Sequence, residues 1–252
     1  MRLNYQATGP EDAPVLLLGS SLGTTHAMWA PQLETLASRF RVIAFDHRGH
    51  GDSEAPDGPY AIEDLGGDVV ELLNELLVEK ASYAGISIGG SVGLWLAENA
   101  PDRFHRFALL CPPAYPAAGA QMWTDRAAQV RAEGTKAITE PTLSRWFLPE
   151  YAAAHAAEVD VIRQQLLATS DEGYASCCEA LGAMDLRPAL GDITAPVLLV
   201  TTDSDQSVPP ETVVELSAQI PGAHLEFIEG AAHLVTYSHP DLVNHLLMSH
   251  LT

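Results

Sequence analysis

Residues 81–89 read ASYAGISIG, and this stretch carries the motif Gly85-Ile86-Ser87-Ile88-Gly89. Ala81 to Ile86 has the length and apolar composition of a buried strand, and the pattern over 90–100 is helical. A serine between two glycines at a strand-to-helix turn is typical of a nucleophile that projects above a sheet. Small-residue turns are common, so the strand–turn–helix context is what favours a catalytic serine over an ordinary glycine-rich connection.

Alternating strand and helix signals surround this turn. Helical periodicity is found over Trp29 to Ser38, over 62–79 and near 240–250. Short apolar runs of strand length lie at Pro14 to Leu18, Phe40 to Phe45, Phe107 to Leu110, Pro196 to Val200 and Leu225 to Ile228. This alternation predicts an α/β fold, with a mostly parallel sheet and helices on both faces.

The alternation stops between about 114 and 190, where strand signals vanish and helical stretches take over. We therefore predict a core made of residues 1–113 and 191–252, and a helical lid over 114–190 within the same structural domain. A lid inserted between two parallel strands would cover the carboxyl edge of the sheet, where α/β proteins bind their ligands.

Composition restricts the partners. The chain has 252 residues and a formal net charge of −20, from 33 acidic and 13 basic residues. An acidic surface repels phosphate backbones and anionic lipid, so we expect a small-molecule partner and neither nucleic acid nor membrane. No apolar run reaches the ~18–20 residues of a membrane span, and the N-terminal residues do not resemble a signal peptide. Oligomeric state is left open by these features.

Cysteine usage bears on location and metal binding. The chain has three cysteines, and Cys177 and Cys178 are adjacent. They form no disulfide framework, and no cysteine–histidine cluster has the spacing of a zinc site. We therefore predict a reduced, cytoplasmic location and no metal.

A serine hydroxyl becomes a useful nucleophile only when a base takes its proton. In this fold the acid follows the serine in the chain and the histidine comes last. Asp205 follows the strand at Pro196 to Val200 in an Asp-x-x-Val-Pro segment, which favours it over Asp203. Five histidines follow Asp205, and only His233 lies in a small-residue loop just past a strand. The sequence thus predicts the triad Ser87, Asp205 and His233, although each residue alone also fits a structural role.

Acyl transfer also requires two backbone N–H groups that point at the developing oxyanion. Ile88, the residue after the serine, is expected to supply one of them. We predict Leu22 as the second, in the loop Gly19-Ser20-Ser21-Leu22-Gly23. The alternative for this loop is a plain glycine and serine turn.

With these pieces in place, the sequence resembles the α/β-hydrolase superfamily and, within it, the 3-oxoadipate enol-lactonases of aromatic catabolism. The resemblance spans nearly the whole chain, through Ser21 to Thr25 with Met28-Trp29, Asp46 to Ser53, Arg145 to Phe147, Tyr174 to Ala180, Met184 to Arg187, Asp205 to Pro210 and Gly230 to Leu234. Ser20 and Thr202 depart from the residues usual there, and so does the segment Cys111 to Pro116. Because this segment should border the pocket, it bears on the substrate more than on the chemistry.

The resemblance implies a carboxylate-bearing enol-lactone as substrate, opened through an acyl-enzyme without a metal or organic cofactor. A negative protein that binds an anion needs a local positive site. The lid contains three arginines for this role, Arg126, Arg131 and Arg145. We predict Arg145 as the carboxylate ligand and Ser21, Trp123 and Trp146 as further substrate contacts, the alternatives being a solvated helix face and lid core.

Two other functions remain open from the sequence. One is another activity of the same triad, either a general carboxylesterase or lactonase, or a cofactor-free perhydrolase of the haloperoxidase type. The other is a ligand-binding protein that keeps the fold and has little turnover, against which the intact triad argues.

Overall fold

The computed structural model describes all 252 residues. Its one sheet has seven strands, β1 to β7, at Tyr5–Thr8, Val15–Gly19, Arg41–Phe45, Ala81–Ile86, Phe104–Leu110, Val197–Thr202 and His224–Ile228. Their order across the sheet is β1-β3-β2-β4-β5-β6-β7, and all pairs are parallel except β1 with β3. The predicted α/β architecture with a mostly parallel sheet is confirmed.

Strand β1 was absent from the sequence prediction. Its residues YQAT are mostly exposed, and it pairs only with β3 at the edge of the sheet, so it lacks the apolar run of a buried strand. Strand β5 begins at Phe104 and not at Phe107, because the exposed His105 and the half-buried Arg106 weaken the strand signal at its start. Both places contain exposed or half-buried residues, so the sequence lacks the apolar run by which a buried strand is predicted.

Eleven helices, α1 to α11, lie at Ala30–Ala37, Ile62–Glu75, Ile88–Asn99, Ala120–Glu133, Lys136–Trp146, Pro149–Ala154, Ala156–Ala168, Asp171–Ala183, Pro210–Ser217, Val235–Ser238 and Pro240–Leu251. Helix α3 packs on β2, β4 and β5, while α1 packs on β3 and α11 on β5. Strands β4 and β6 are buried at every residue, so helices cover the sheet on both faces. None of the helices combines the length and hydropathy that crossing a bilayer requires.

Helices α4 to α8 occupy residues 120–183, between β5 and β6, and we call this segment the helical insertion. Within it α4 packs on α8 and α5 packs on α7. The insertion falls inside the range 114–190 for which the sequence predicts a lid. That it acts as a lid stays a prediction.

Candidate active site

Ser87 lies between the end of β4 and the start of α3 and has φ 58° and ψ −122°. A residue with a Cβ adopts this conformation at a cost of about 1–3 kcal/mol, and such strain concentrates at functional sites. The flanking glycines are required, because a Cβ on Gly85 would lie 2.3 Å from the carbonyl oxygen of Gly89. A hydrogen bond of 2.9 Å from the Ser87 N–H to the Leu110 carbonyl holds the turn. This geometry is that of a nucleophile elbow.

His233 and Asp205 form a buried pair beside this turn. His233 Nδ1 donates to Oδ2 of Asp205 at 2.6 Å. The other carboxylate oxygen, Oδ1, accepts the N–H groups of Ser207 at 2.7 Å and Val208 at 2.9 Å. Burial alone would raise the pKa of Asp205, but the charge and hydrogen bond of His233 and the two backbone donors hold it below its usual value. The carboxylate is therefore ionised and fixes the orientation of the imidazole.

Asp203, the alternative acid, has a different role. Its carboxylate is exposed and accepts the N–H groups of Gly230 at 2.9 Å and Ala231 at 3.2 Å, and these bonds lower its pKa. It thereby fixes the turn that precedes His233. His233 is paired with Asp205 and not with Asp203.

Ser87 and His233 line the same cavity, which has a volume of about 210 Å³. Its wall is largely apolar, and the ring of Trp146 packs against His233 with 6.1 Å between the centroids. The aromatic lining residues are Tyr115, Trp123, Trp146 and Tyr174. Pockets for drug-sized ligands have volumes of about 300–1,000 Å³, so this cavity suits a smaller molecule.

The two expected oxyanion donors lie close to this cavity. Leu22 lines it, and Ile88 is the first residue of α3, where an N–H has no acceptor within the helix. Neither N–H donates to another group of the protein. Both donors are thus available to an oxygen bound at Ser87.

The three candidate arginines differ in their surroundings. Arg131 lies outside the cavity and forms ion pairs with Glu172 and Glu179, so it is no longer a candidate for the carboxylate ligand. Arg126 and Arg145 both line the cavity and are half-buried.

Arg126 and Arg145 have no carboxylate partner among the ion pairs of the structure. Arg126 donates to Thr142 Oγ1, while its Nε is buried without a hydrogen-bond partner. Burial, and then the neighbouring charge of Arg126, lower the pKa of Arg145. Two guanidinium groups without a counter-ion form a positive patch that matches an anion.

The other three residues predicted to contact the substrate differ in whether they line the cavity. Trp123 and Trp146 line the cavity, but Ser21 does not. Ser21 is fully buried, and its N–H donates to the sulfur of Met28. The structure therefore contradicts the prediction that Ser21 contacts the substrate. The sequence does not reveal this burial, because the direction of a loop side chain cannot be determined from composition.

The sequence predicts that the segment Cys111 to Pro116 borders the pocket. Its residues Pro113 to Pro116 do line the cavity, and the lining continues through Ala117 and Ala118. Gln206 to Pro209 and Tyr174 also line it. The first of these segments follows Asp205 directly, and that position was a usable signal.

Cys111 is the remaining reactive group near the triad. Its Sγ lies within 4.8 Å of ligand atoms of Asp205 and His233. Burial, and then the charge of Asp205, raise the pKa of this thiol well above its usual value. The thiol is therefore protonated, the form in which a cysteine is a poor nucleophile.

The family model described as alpha/beta hydrolase fold matches residues 14–240. The chain belongs to the α/β-hydrolase fold family. It is 39% identical over 246 residues to 3-oxoadipate enol-lactonase 2 of Acinetobacter baylyi, covering 96% of this chain and 90% of the relative. The resemblance to enol-lactonases seen in the sequence motifs is confirmed.

The chain is also similar to solved structures of an enol-lactonase and an esterase. The enol-lactonase from Burkholderia xenovorans LB400 superposes with a TM-score of 0.94 at 38% identity, covering 98% of this chain and 95% of that one. A thermophilic esterase from Thermogutta terrifontis, solved with malate bound, superposes with a TM-score of 0.91 at 28% identity, covering 98% and 92%.

Proposed function

We propose that this protein is a serine hydrolase that opens a carboxylate-bearing enol-lactone, converting 3-oxoadipate enol-lactone to 3-oxoadipate. The observation that carries the proposal is the pair Arg126 and Arg145, two guanidinium groups without a counter-ion in the small cavity of Ser87 and His233. The identities of 39% and 38% to proteins named enol-lactonase support the same substrate.

The first half of the reaction forms an acyl-enzyme. Ser87 Oγ attacks the lactone carbonyl carbon while His233 takes the hydroxyl proton, and Asp205 stabilises the resulting imidazolium. The carbonyl oxygen becomes negative and accepts the N–H groups of Leu22 and Ile88. When the ring C–O bond breaks, His233 returns its proton to the leaving enol oxygen, and the enol then tautomerises to a ketone.

The second half releases the acid. A water molecule gives a proton to His233 and attacks the acyl carbon, which forms a second tetrahedral intermediate with the same oxyanion donors. Collapse of this intermediate breaks the bond to Ser87 Oγ, and His233 returns the proton to the serine. In both halves of the reaction His233 accepts a proton and then returns it.

The substrate carboxylate is assigned to the positive patch. Guanidinium groups bind carboxylates through paired N–H donors. Arg126 lies over the rings of Trp123 and Tyr174, with 5.9 and 5.6 Å to the centroids, and these contacts hold its plane. An acidic protein repels an anionic substrate at long range, so the positive charge of Arg126 and Arg145 is needed to bind the substrate carboxylate.

Replacing Arg145 with alanine is expected to raise KM for the anionic lactone and to leave KM for a neutral ester of similar size unchanged. Removing one partner of a buried, hydrogen-bonded charge pair costs about 2–5 kcal/mol. Because Arg126 remains nearby, we expect the lower end, roughly 30-fold in kcat/KM. A rim contact is worth under about 1 kcal/mol and fades with salt, so kcat/KM is measured at low and high ionic strength.

Arg131→Ala is the matched control, because Arg131 lies on the insertion but outside the cavity. It is expected to leave both substrates unaffected. An equal loss on both substrates in Arg145→Ala assigns Arg145 to holding the insertion together. If Arg145→Ala loses no activity on either substrate, the role of Arg145 as carboxylate ligand is contradicted and Arg126 becomes the assigned ligand.

A general carboxylesterase is the second candidate, favoured by the similarity to the Thermogutta terrifontis esterase. It predicts that short neutral esters are hydrolysed as efficiently as the anionic lactone. The two candidates share the triad and differ only in the role of the positive patch.

A further inference from the structure

The loop that carries Leu22 comprises residues 20–25, and we call it the oxyanion loop. It is anchored on one side by the α/β core. His47 Nε2 donates to the Ser20 carbonyl at 3.1 Å, and the Gly23 N–H donates to His50 Nε2 at 2.8 Å. Burial lowers the pKa of both histidines, to about 3 for His47, so both imidazoles are neutral.

The other side of the oxyanion loop is anchored by the helical insertion. Gln165 Oε1, on α7, accepts the Thr25 N–H at 2.9 Å and the Thr25 hydroxyl at 3.2 Å. The hydroxyl of Thr169, just after α7, is within hydrogen-bond distance of two carbonyl acceptors, that of Gly23 at 3.2 Å and that of Gln165 at 2.9 Å. The contacts with Thr25 and Gly23 join residues that are 140 and 146 positions apart in the chain.

The insertion also packs directly on the loop backbone. Gly23 has φ +80°, and a Cβ at this position would lie 2.5 Å from Leu166 Cδ2 and 3.0 Å from Tyr174 Cε2. Both side chains belong to the insertion, at α7 and α8. A glycine is therefore needed for the insertion to approach the loop this closely.

We propose that Gln165 and Thr169 are positioning residues for the oxyanion hole, so that the helical insertion determines where the Leu22 N–H points. The chain that follows Leu22 is held at Gly23 by His50 and Thr169 and at Thr25 by Gln165, and the chain that precedes it is held at Ser20 by His47. An oxyanion donor acts only when it lies about 2.7–3.1 Å from the oxygen, and a small displacement forfeits much of its effect. The inference rests on the proposed function, because the direction of this N–H matters only for acyl transfer.

The test compares Gln165→Met with Gln164→Met in the full-length protein. Methionine keeps the length of the side chain but removes the acceptor of the Thr25 bonds, and Gln164 is the exposed neighbour on the same helix. We expect Gln165→Met to lower kcat by about 10- to 100-fold and to leave KM within about twofold. Gln164→Met is expected to match the wild type.

Two further measurements separate positioning from general destabilisation. The affinity for a short alkylboronic acid, which forms a tetrahedral adduct on a catalytic serine, is expected to fall by the same factor as kcat. The thermal unfolding midpoint shows whether Gln165→Met stays folded at the assay temperature. Thr169→Val removes the hydrogen bond to the Gly23 carbonyl at nearly constant volume and gives an independent variant if Gln165→Met does not fold.

The outcomes distinguish this inference from the proposed function. If the wild type hydrolyses no lactone or ester and Ser87 is not labelled by a fluorophosphonate, the proposed function fails. If the wild type is active and both Gln165→Met and Thr169→Val retain its kcat and boronate affinity, the positioning role is overturned while the function stands. A rise in KM at unchanged kcat also overturns it, because it assigns the glutamine to substrate binding.

Discussion

Replacing Ser87 with alanine is expected to lower kcat by about 10⁶-fold, since only binding and the oxyanion donors then remain. The fold should persist, because alanine and serine both carry a Cβ and experience the same strain at φ 58°. The assay is hydrolysis of the lactone and of a chromogenic short ester, with circular dichroism as the check on folding.

Ser144→Ala is the control for this substitution, because Ser144 is exposed on α5 and lies outside the cavity. It is expected to behave as the wild type, and a fluorophosphonate should label it but not the Ser87 variant. If Ser87→Ala kept a tenth of the activity, the nucleophile would have to be sought elsewhere.

The second large effect is expected at Asp205. Asp205→Asn places an amide where a carboxylate accepts the proton of His233 Nδ1 at 2.6 Å. The Ser207 and Val208 N–H groups favour the amide oxygen at their own side, so the NH₂ group faces the imidazole. His233 then carries its proton on Nε2 and cannot take one from Ser87. A loss of about 10⁴-fold in kcat follows from this wrong tautomer.

Asp203→Asn is the matched comparison, two residues away in the same loop. Asp203 only accepts the backbone N–H groups of Gly230 and Ala231, and the amide oxygen can keep one of these bonds. We expect less than about a tenfold loss. Equal losses in the two variants, or a larger loss at Asp203, would contradict the assignment of the orienting acid.

The parts of the molecule that the sequence predicts best are those in which a local pattern has one physical solution. The strained turn at Ser87 requires glycine on both sides, so the motif also identifies the conformation. In this fold the acid and the histidine follow the serine in the chain, and the loops after parallel strands meet at one edge of the sheet. Asp205 could be selected by its Asp-x-x-Val-Pro segment, and His233 by its small-residue loop just past a strand.

The parts that could not be predicted depend on long-range contacts. The three arginines of the insertion look alike in the sequence, and only the acidic partners of Arg131 separate it from Arg126 and Arg145. Gln165 has no distinguishing neighbours, and its contact with Thr25 spans 140 positions. Edge strand β1 carries no apolar run, because its residues remain mostly exposed.

Turnover of 3-oxoadipate enol-lactone by the purified protein tests the central claim most directly. The measurement is kcat/KM from the appearance of the ring-opened acid, compared with an uncharged lactone of the same ring size and with a short neutral ester. We predict that the anionic lactone is preferred by roughly 30-fold or more, the value expected from a partly buried pairing of its carboxylate with an arginine. Equal or faster turnover of the uncharged substrates, or no turnover of the enol-lactone, would contradict the account.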